Sequence, residues 1–249
     1  MIPGPASAPA PGPRPFAWVV PVYNHGDRVE AVVREILTLG GPVIVVDDGS
    51  SDRSPAVLAK IPGIRLLRHA VNRGKGAALI SGMRAAARVA DWAVTIDADG
   101  QHRPRDAFRL MAAITPPRRP IVVGLRRGMG RAPWTSRFGR GFSNFWVRRA
   151  GGPALGDTQS GLRAYPLPET LALPVRARRY QYEIEVLVSA RWQGMEVLET
   201  PVGVVYADGS QRVSHFRPVA DFMRNSGTFA RLITRRVFTP RLWRPGGRP

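Results

Sequence analysis

From residue 16 onward, short apolar runs alternate with stretches in which apolar residues recur every three or four positions. Short β-branched and aliphatic runs make buried strands, whereas a 3.6-residue period makes a helix with one buried face. The alternation therefore predicts βαβ units around a mainly parallel sheet. The expected strands are residues 16–20, 43–46, 64–67, 92–96 and 121–123. Between them, Val29, Val32, Val33, Ile36 and Leu37 mark a helix that Gly40 and Gly41 end. Asp52 caps a second helix reaching Lys60, and Ile80, Met83, Ala87 and Ala90 mark the inner face of a third. Pro104 opens a fourth that runs to about Ile114.

Beyond Gly124 the alternation fades. Residues 135–149 and 180–192 are expected helices, and residues 195–205 have the β-branched content of strands that close a site. Two apolar stripes follow: Val213, Phe216, Val219, Ala220 and Met223, then Phe229, Leu232, Ile233 and Val237. Their other faces carry Arg217, Arg224, Arg231, Arg235 and Arg236, with Arg241, Trp243, Arg244 and Arg248 beyond. Two readings of this basic amphipathic segment stand side by side. One is a helix packed on the core with a solvated basic face. The other is a helix lying in an anionic membrane surface. Residues 1–15, rich in Pro, Ala and Gly, read as a disordered tail, residues 16–210 as one α/β domain and 211–249 as the basic extension. No stretch approaches the roughly 18 apolar residues of a spanning helix, so the expectation is a protein that is soluble or peripheral to a membrane.

Composition narrows the chemistry. A chain of 249 residues is long enough to bury a sizeable α/β core. The absence of Cys removes disulfides, thiolate nucleophiles and Cys-bound zinc, leaving oxygen or His to hold any metal, and fits a reducing, cytoplasmic setting. With 37 Lys and Arg against 18 Asp and Glu, the net charge of +19 favours phosphate-bearing partners: nucleotides, anionic lipid or nucleic acid.

Asp97-Ala98-Asp99 directly follows an expected strand, so both carboxylates emerge at the carboxyl end of a buried sheet, the edge where open α/β sheets bind ligands. Two carboxylates so spaced can face Mg2+ or Mn2+, with Gln101 and His102 close by. Asp47-Asp48-Gly49-Ser50-Ser51-Asp52 follows another strand and reaches the same edge; its carboxylates can accept hydrogen bonds from a base or ribose. Asn72-Arg73-Gly74-Lys75-Gly76 opens the third helix and can bring backbone amides and Lys75 to phosphates. Each motif alone also reads as ordinary turn or cap chemistry. Two acidic strand ends on one edge point to a site.

Together with Pro21-Val22-Tyr23-Asn24, these motifs occur in the order seen in family-2 glycosyltransferases, and the chain resembles the dolichyl-phosphate mannose synthase and polyprenyl-phosphate glycosyltransferase branch over about residues 16–220. The resemblance implies a single-domain, Rossmann-like glycosyltransferase A-type fold, inversion at the anomeric carbon, Mg2+ or Mn2+, a nucleotide-sugar donor and a lipid acceptor. It implies donor contacts at Pro21, Tyr23, Asn24, Asp47, Asp48, Lys75, Asp97, Ala98 and Asp99, and a metal shell of Asp97, Asp99 and Gln101. Gly100 stands where an apolar residue is usual.

Residues 157–163, Asp-Thr-Gln-Ser-Gly-Leu-Arg, resemble the acceptor-side motif of the branch, with Leu162 in place of the usual Phe. By the same likeness Ser160, Gly161 and Arg163 face the acceptor, and Arg126, Arg127, Arg137 and Arg140 lie where the branch binds the acceptor phosphate. Arg212 and Ser214 resemble its late basic motif, although His215 replaces the more usual Lys. An acceptor phosphate needs no strong base. For an acceptor hydroxyl, Asp157 is the first candidate base, with Glu183 and Glu185, otherwise expected to face solvent, as second choices. The enzyme is expected at the cytoplasmic face of a membrane, meeting a lipid acceptor by docking on the anionic surface or through a partner membrane protein, with a soluble acceptor as the alternative. Two rivals remain: a nucleotidyltransferase on the same fold, and a basic module for nucleic acid or anionic surfaces, which would leave the acidic clusters idle.

Overall fold

The computed structural model describes residues 16–127, 134–205 and 218–238, with side chains omitted for 134–138 and 218–225. Seven strands form one sheet in the order β3-β2-β1-β4-β6-β5-β7. The strands are β1 (Phe16–Val22), β2 (Val43–Asp47), β3 (Ile64–Arg68), β4 (Trp92–Thr95), β5 (Ile121–Arg126), β6 (Arg163–Pro166) and β7 (Val197–Val202). β3, β2, β1 and β4 run parallel, and so do β5 and β7; β6 lies antiparallel between β4 and β5.

Strands β1, β2 and β4 are buried on both faces, which is why they read as continuous apolar runs, whereas the edge strands β3 and β7 are largely part-exposed. Trp18, Val20 and Val22 pack beneath α1 (Val29–Thr38), α2 (Ser54–Leu58) and α4 (Ala107–Ala112). Ala17 and Val19 point the other way, toward α3 (Lys75–Ala86) and α7 (Tyr182–Trp192). The short α6 (Glu169–Ala172) follows β6. A third cluster joins α5 (Trp134–Arg149), α7 and α8 (Pro218–Phe238) through Val147, Ala150, Ile184, Val188, Phe229 and Leu232.

Three local expectations change. The helix behind Asp52 ends at Leu58 rather than Lys60; Asp52 does accept the Ser54 amide at 2.8 Å. On α3 Met83 is buried, but Ala87 is exposed and Ile80 and Ala90 are only partly covered. The buried side consists mostly of Gly, Ala and Leu, because the helix lies close on the sheet and a Cβ at Gly82 would strike Val19. The two basic stripes belong largely to one helix, α8, whose Phe229 and Leu232 are buried, in agreement with the core-packed reading of its second half. Val213, Phe216 and Arg217 lie outside the described residues.

The antiparallel β6 shapes the site. Strands β1, β2, β4, β5 and β7 all end at one edge, whereas β6 begins there, its Arg163 pairing with Thr95 of β4 and Val123 of β5. Residues 157–162 are thereby delivered beside the carboxyl ends of β4 and β5.

Candidate active site

At the end of β2, Asp47 accepts the Ser50 amide at 2.9 Å and has Arg68 Nε 3.2 Å from its other oxygen. Asp48 is more heavily engaged: Oδ1 meets His69 Nδ1 at 2.6 Å and the Arg73 amide at 3.0 Å, and Oδ2 accepts the Gly74 amide at 2.7 Å. These partners bind the turn to the start of α3. Gly49, at φ +71°, lets the turn press against the 71–72 backbone; a Cβ there would lie 2.5 Å from the Val71 carbonyl carbon.

Asn24 acts in the same way. Its Oδ1 accepts the Ser51 amide at 2.8 Å and its own amide donates to Ser50 Oγ at 3.0 Å, tying the loop after β1 to the loop after β2. Pro21 is buried within β1, and Tyr23 is half-buried beside Asn24. Ala98 is core, 2% exposed, so its donor-side part is confined to the backbone.

Asp97 lies just past β4, and Lys75 at the first position of α3 reaches it, Nζ standing 2.8 Å from Oδ1 and 3.1 Å from Oδ2. The same ammonium is 2.8 Å from Glu183 Oε2 on α7. Burial pushes the Asp97 carboxyl up, but Lys75, aided by His102 and His25, outweighs it and holds the group below the ordinary carboxylate range. Asp99 goes the opposite way: burial and the neighbouring Asp97 charge push it up to about 6. Its Oδ1 accepts the Gln101 amide at 2.9 Å, and its carbonyl accepts Arg28 Nη1 at 3.0 Å. His102 is buried and held down at about 4 by desolvation, so its imidazole is neutral near pH 7. Its strand-like backbone pairs with Val204.

Across the cleft edge, Arg126 ends β5 and grips Asp157 with both prongs, Nε to Oδ2 at 2.6 Å and Nη2 to Oδ1 at 3.0 Å. Asp157 is fully buried. Its oxygens serve Arg126 and, through Oδ1, the Gln159 amide at 3.2 Å, and its backbone amide donates to Glu199 Oε1 at 2.8 Å, so the general-base role expected of it would require release from Arg126. Glu183 and Glu185, expected to face solvent, are both buried and paired, the first with Lys75 and the second with Arg231 of α8 at 2.8 Å.

Arg163, expected on the acceptor side, is fully buried, donating to the carbonyls of Ser160 at 2.7 Å, Thr158 at 2.9 Å and Glu183 at 2.7 Å. It fastens the 157–162 loop from behind. Gly161 lies against Asp97, and a Cβ there would enter the Asp97 carboxylate. Ser160 is buried beside it, with no hydrogen-bond partner for its Oγ among the described residues. Arg127 is exposed at the end of β5 and Arg140 half-buried on α5. The Arg137 side chain and residues 212, 214 and 215 lie outside the described residues.

Two supporting residues escaped the sequence reading. Glu199 receives the amides of Gly156 and Asp157, each at 2.8 Å. Asn144 accepts the Thr158 amide at 3.0 Å and donates to the Gly156 carbonyl at 2.7 Å. A carboxylate inside the otherwise apolar stretch of β7 was the available signal for Glu199, whereas an Asn on a polar helix face carries none.

A sheet edge that gathers paired carboxylates, a buried ammonium and arginines suits a phosphate-bearing ligand, and the fold is of the glycosyltransferase A type. A family model of glycosyl transferase family 2 matches residues 17–164, and the chain belongs to that family. It is 30% identical over 200 residues to an uncharacterized protein of Methanocaldococcus jannaschii, spanning 77% of this chain and 82% of that one. It is 29% identical over 216 residues to the UDP-N-acetylglucosamine–dolichyl-phosphate N-acetylglucosaminyltransferase of Methanococcus voltae, covering 77% of this chain and 86% of the relative. The fold matches glucosyl-3-phosphoglycerate synthase from Mycobacterium tuberculosis, crystallised with Mn2+, UDP and glucosyl-3-phosphoglycerate, at TM-score 0.69 and 22% identity over 91% of this chain and 81% of that one. The protein is thus a glycosyltransferase. Among the described residues no helix is long and apolar enough to cross a membrane.

Proposed function

We propose that the chain performs inverting, metal-dependent transfer of a sugar from a nucleotide-sugar donor to a lipid phosphate of the polyprenyl type. The carrying observation is that each carboxylate considered as a general base is paired with a cation: Asp157 with Arg126, Glu183 with Lys75 and Glu185 with Arg231. A hydroxyl acceptor needs a free base, whereas a phosphate oxygen is already anionic and needs only to be held in place. The names of relatives support the same acceptor class: dolichyl phosphate for the Methanococcus voltae enzyme and undecaprenyl phosphate for a Sodalis glossinidius transferase, 33% identical over 158 residues.

The donor set fits Mg2+ or Mn2+. Two oxygen-bearing side chains, Asp97 and Asp99, adjoin one another; burial first, and the Asp97 charge second, push the Asp99 carboxyl up to about 6, and a divalent cation would offset that repulsion. No group of three Asp, Glu, His or Cys side chains suited to a metal occurs among the described residues, so Gln101, diphosphate oxygens and water complete the shell. When bound, the ion offsets charge on the departing diphosphate. Asp47, in the turn shaped by Asp48 and Asn24, receives the nucleoside, and Lys75 lies within reach of the diphosphate.

Arg126, Arg127, Arg137 and Arg140 hold the acceptor phosphate against the 160–161 backbone, with Arg212 and Ser214 contributing from the segment before α8. The acceptor oxygen forms its bond to the anomeric carbon on the face opposite the nucleoside diphosphate, which leaves with the electron pair of the broken carbon–oxygen bond. The basic α8 keeps the enzyme peripheral to the anionic cytoplasmic face of a membrane, alone or with a membrane partner.

The test is a nucleoside-diphosphate release screen over UDP-, GDP- and dTDP-sugars with Mn2+ or Mg2+, with and without polyprenyl phosphate. Release dependent on metal and lipid phosphate is the expected result. Pyrophosphate as product would make the enzyme a nucleotidyltransferase, and salt-sensitive duplex binding without turnover would return it to the binding-module reading.

A further inference from the structure

The donor carboxylate and the acceptor loop are joined by a buried chain of alternating charge. Lys75 Nζ bonds Asp97 on one side and Glu183 on the other, each at 2.8 Å. Glu183 also lies 3.8 Å from Arg163 Nη2, and its own backbone carbonyl accepts Arg163 Nη1 at 2.7 Å. Arg163 in turn grips the carbonyls of Thr158 and Ser160. The Lys75 side chain is 14% exposed, that of Glu183 8% and that of Arg163 0%, so the network works where water screens it little.

We propose that Glu183 is a positioning residue for transfer: by sharing the Lys75 ammonium with Asp97 and linking it to Arg163, it sets the place of the Asp97 carboxylate relative to the acceptor loop. Without Glu183 the ammonium has Asp97 as its remaining carboxylate, and its tie through Glu183 to Arg163 behind the 157–162 loop is lost, although Thr95 Oγ1 still holds the Gly161 carbonyl at 3.1 Å. Gly161, whose missing Cβ makes room for the Asp97 carboxylate, shows how little latitude that carboxylate has. A misplacement of about 1 Å can cost on the order of 100-fold in rate.

The proposal rests on the donor-site reading above, so its test has one arm that needs no turnover. In that arm Lys75→Met, Glu183→Gln and the double variant are compared by urea denaturation of the metal-free protein. Effects well short of additive are expected for residues sharing one network, and additive effects overturn the link. The second arm measures kcat and both KM values with the donor found in the release screen. Glu183→Gln should lower kcat about 10- to 100-fold with the KM for lipid phosphate unchanged, and the double variant should be no slower than Lys75→Met. Glu185→Gln removes another buried carboxylate in the same helical turn, paired with the 40% exposed Arg231 instead of the largely buried Lys75, and serves as the structural control. If Glu183→Gln keeps the kcat of Glu185→Gln, the proposal is wrong. If wild type turns over no nucleotide sugar, the functional reading fails while the denaturation cycle still decides whether Glu183 acts through Lys75.

Discussion

Replacing Asp157 by Asn separates two roles for this residue. The carboxylate is fully buried and both oxygens are taken by Arg126, whose side chain is only 15% exposed. Removing the negative charge leaves a guanidinium in a low-dielectric position without its carboxylate, and breaking a buried pair in this way costs about 3–5 kcal/mol. In a chain of this size that lowers Tm by roughly 6–20 °C. Arg126→Met with Asp157→Leu, which removes both charges, should recover most of the lost stability, since apolar replacement of a whole buried pair is close to neutral. Thermal melts followed by circular dichroism, checked by urea denaturation, measure both variants. An Asp157→Asn protein that melts with wild type yet has lost transfer refutes the argument, because Asp157 would then serve the reacting atoms rather than Arg126.

Three further outcomes are expected. Asp99→Asn should reduce metal-dependent turnover by at least 100-fold while the circular dichroism spectrum stays native; turnover near wild type with Mn2+ present removes the metal site from this edge. Gly161→Ala should slow transfer at least 10-fold by displacing the Asp97 carboxylate, and a normal kcat would show that the loop yields freely. In the metal-free protein two buried groups oppose each other with pH. The unfolded chain protonates His102 near 6.5 and the folded chain only at about 4, so stability falls as pH drops through that window. Asp99 takes its proton at about 6 when folded and near 3.8 when unfolded, so it adds stability over nearly the same fall. His102→Gln removes the first contribution and should gain roughly 3 kcal/mol relative to wild type between pH 6.5 and 4, whereas parallel stability curves refute the burial argument.

The chain itself determined the parallel half of the sheet and the edge on which ligands bind. Strand burial on two faces leaves a continuous apolar run, and a turn that follows such a run shows its polar residues at once, so Asp47, Asp48, Asp97 and Asp99 were legible as strand-end carboxylates. Family resemblance brought the 157–163 loop into the picture without saying where it lies. Strand β6 was missed because Arg163 and Pro166 interrupt its apolar pattern; Arg163 is compatible with burial only because three carbonyls and the Glu183 carboxylate await it.

Only the tertiary structure decided which charges meet. An ion pair between distant segments leaves no period in the sequence, so Arg126 with Asp157, Lys75 with Asp97 and Glu183, and Glu185 with Arg231 could not be read from spacing. Those pairings bear on what each group can do, since a carboxylate with free oxygens can act as a base whereas one held by a buried cation acts as a clamp. The sequence specified where the charged groups leave the sheet, and the antiparallel turn of β6 and the packing of α7 chose their partners.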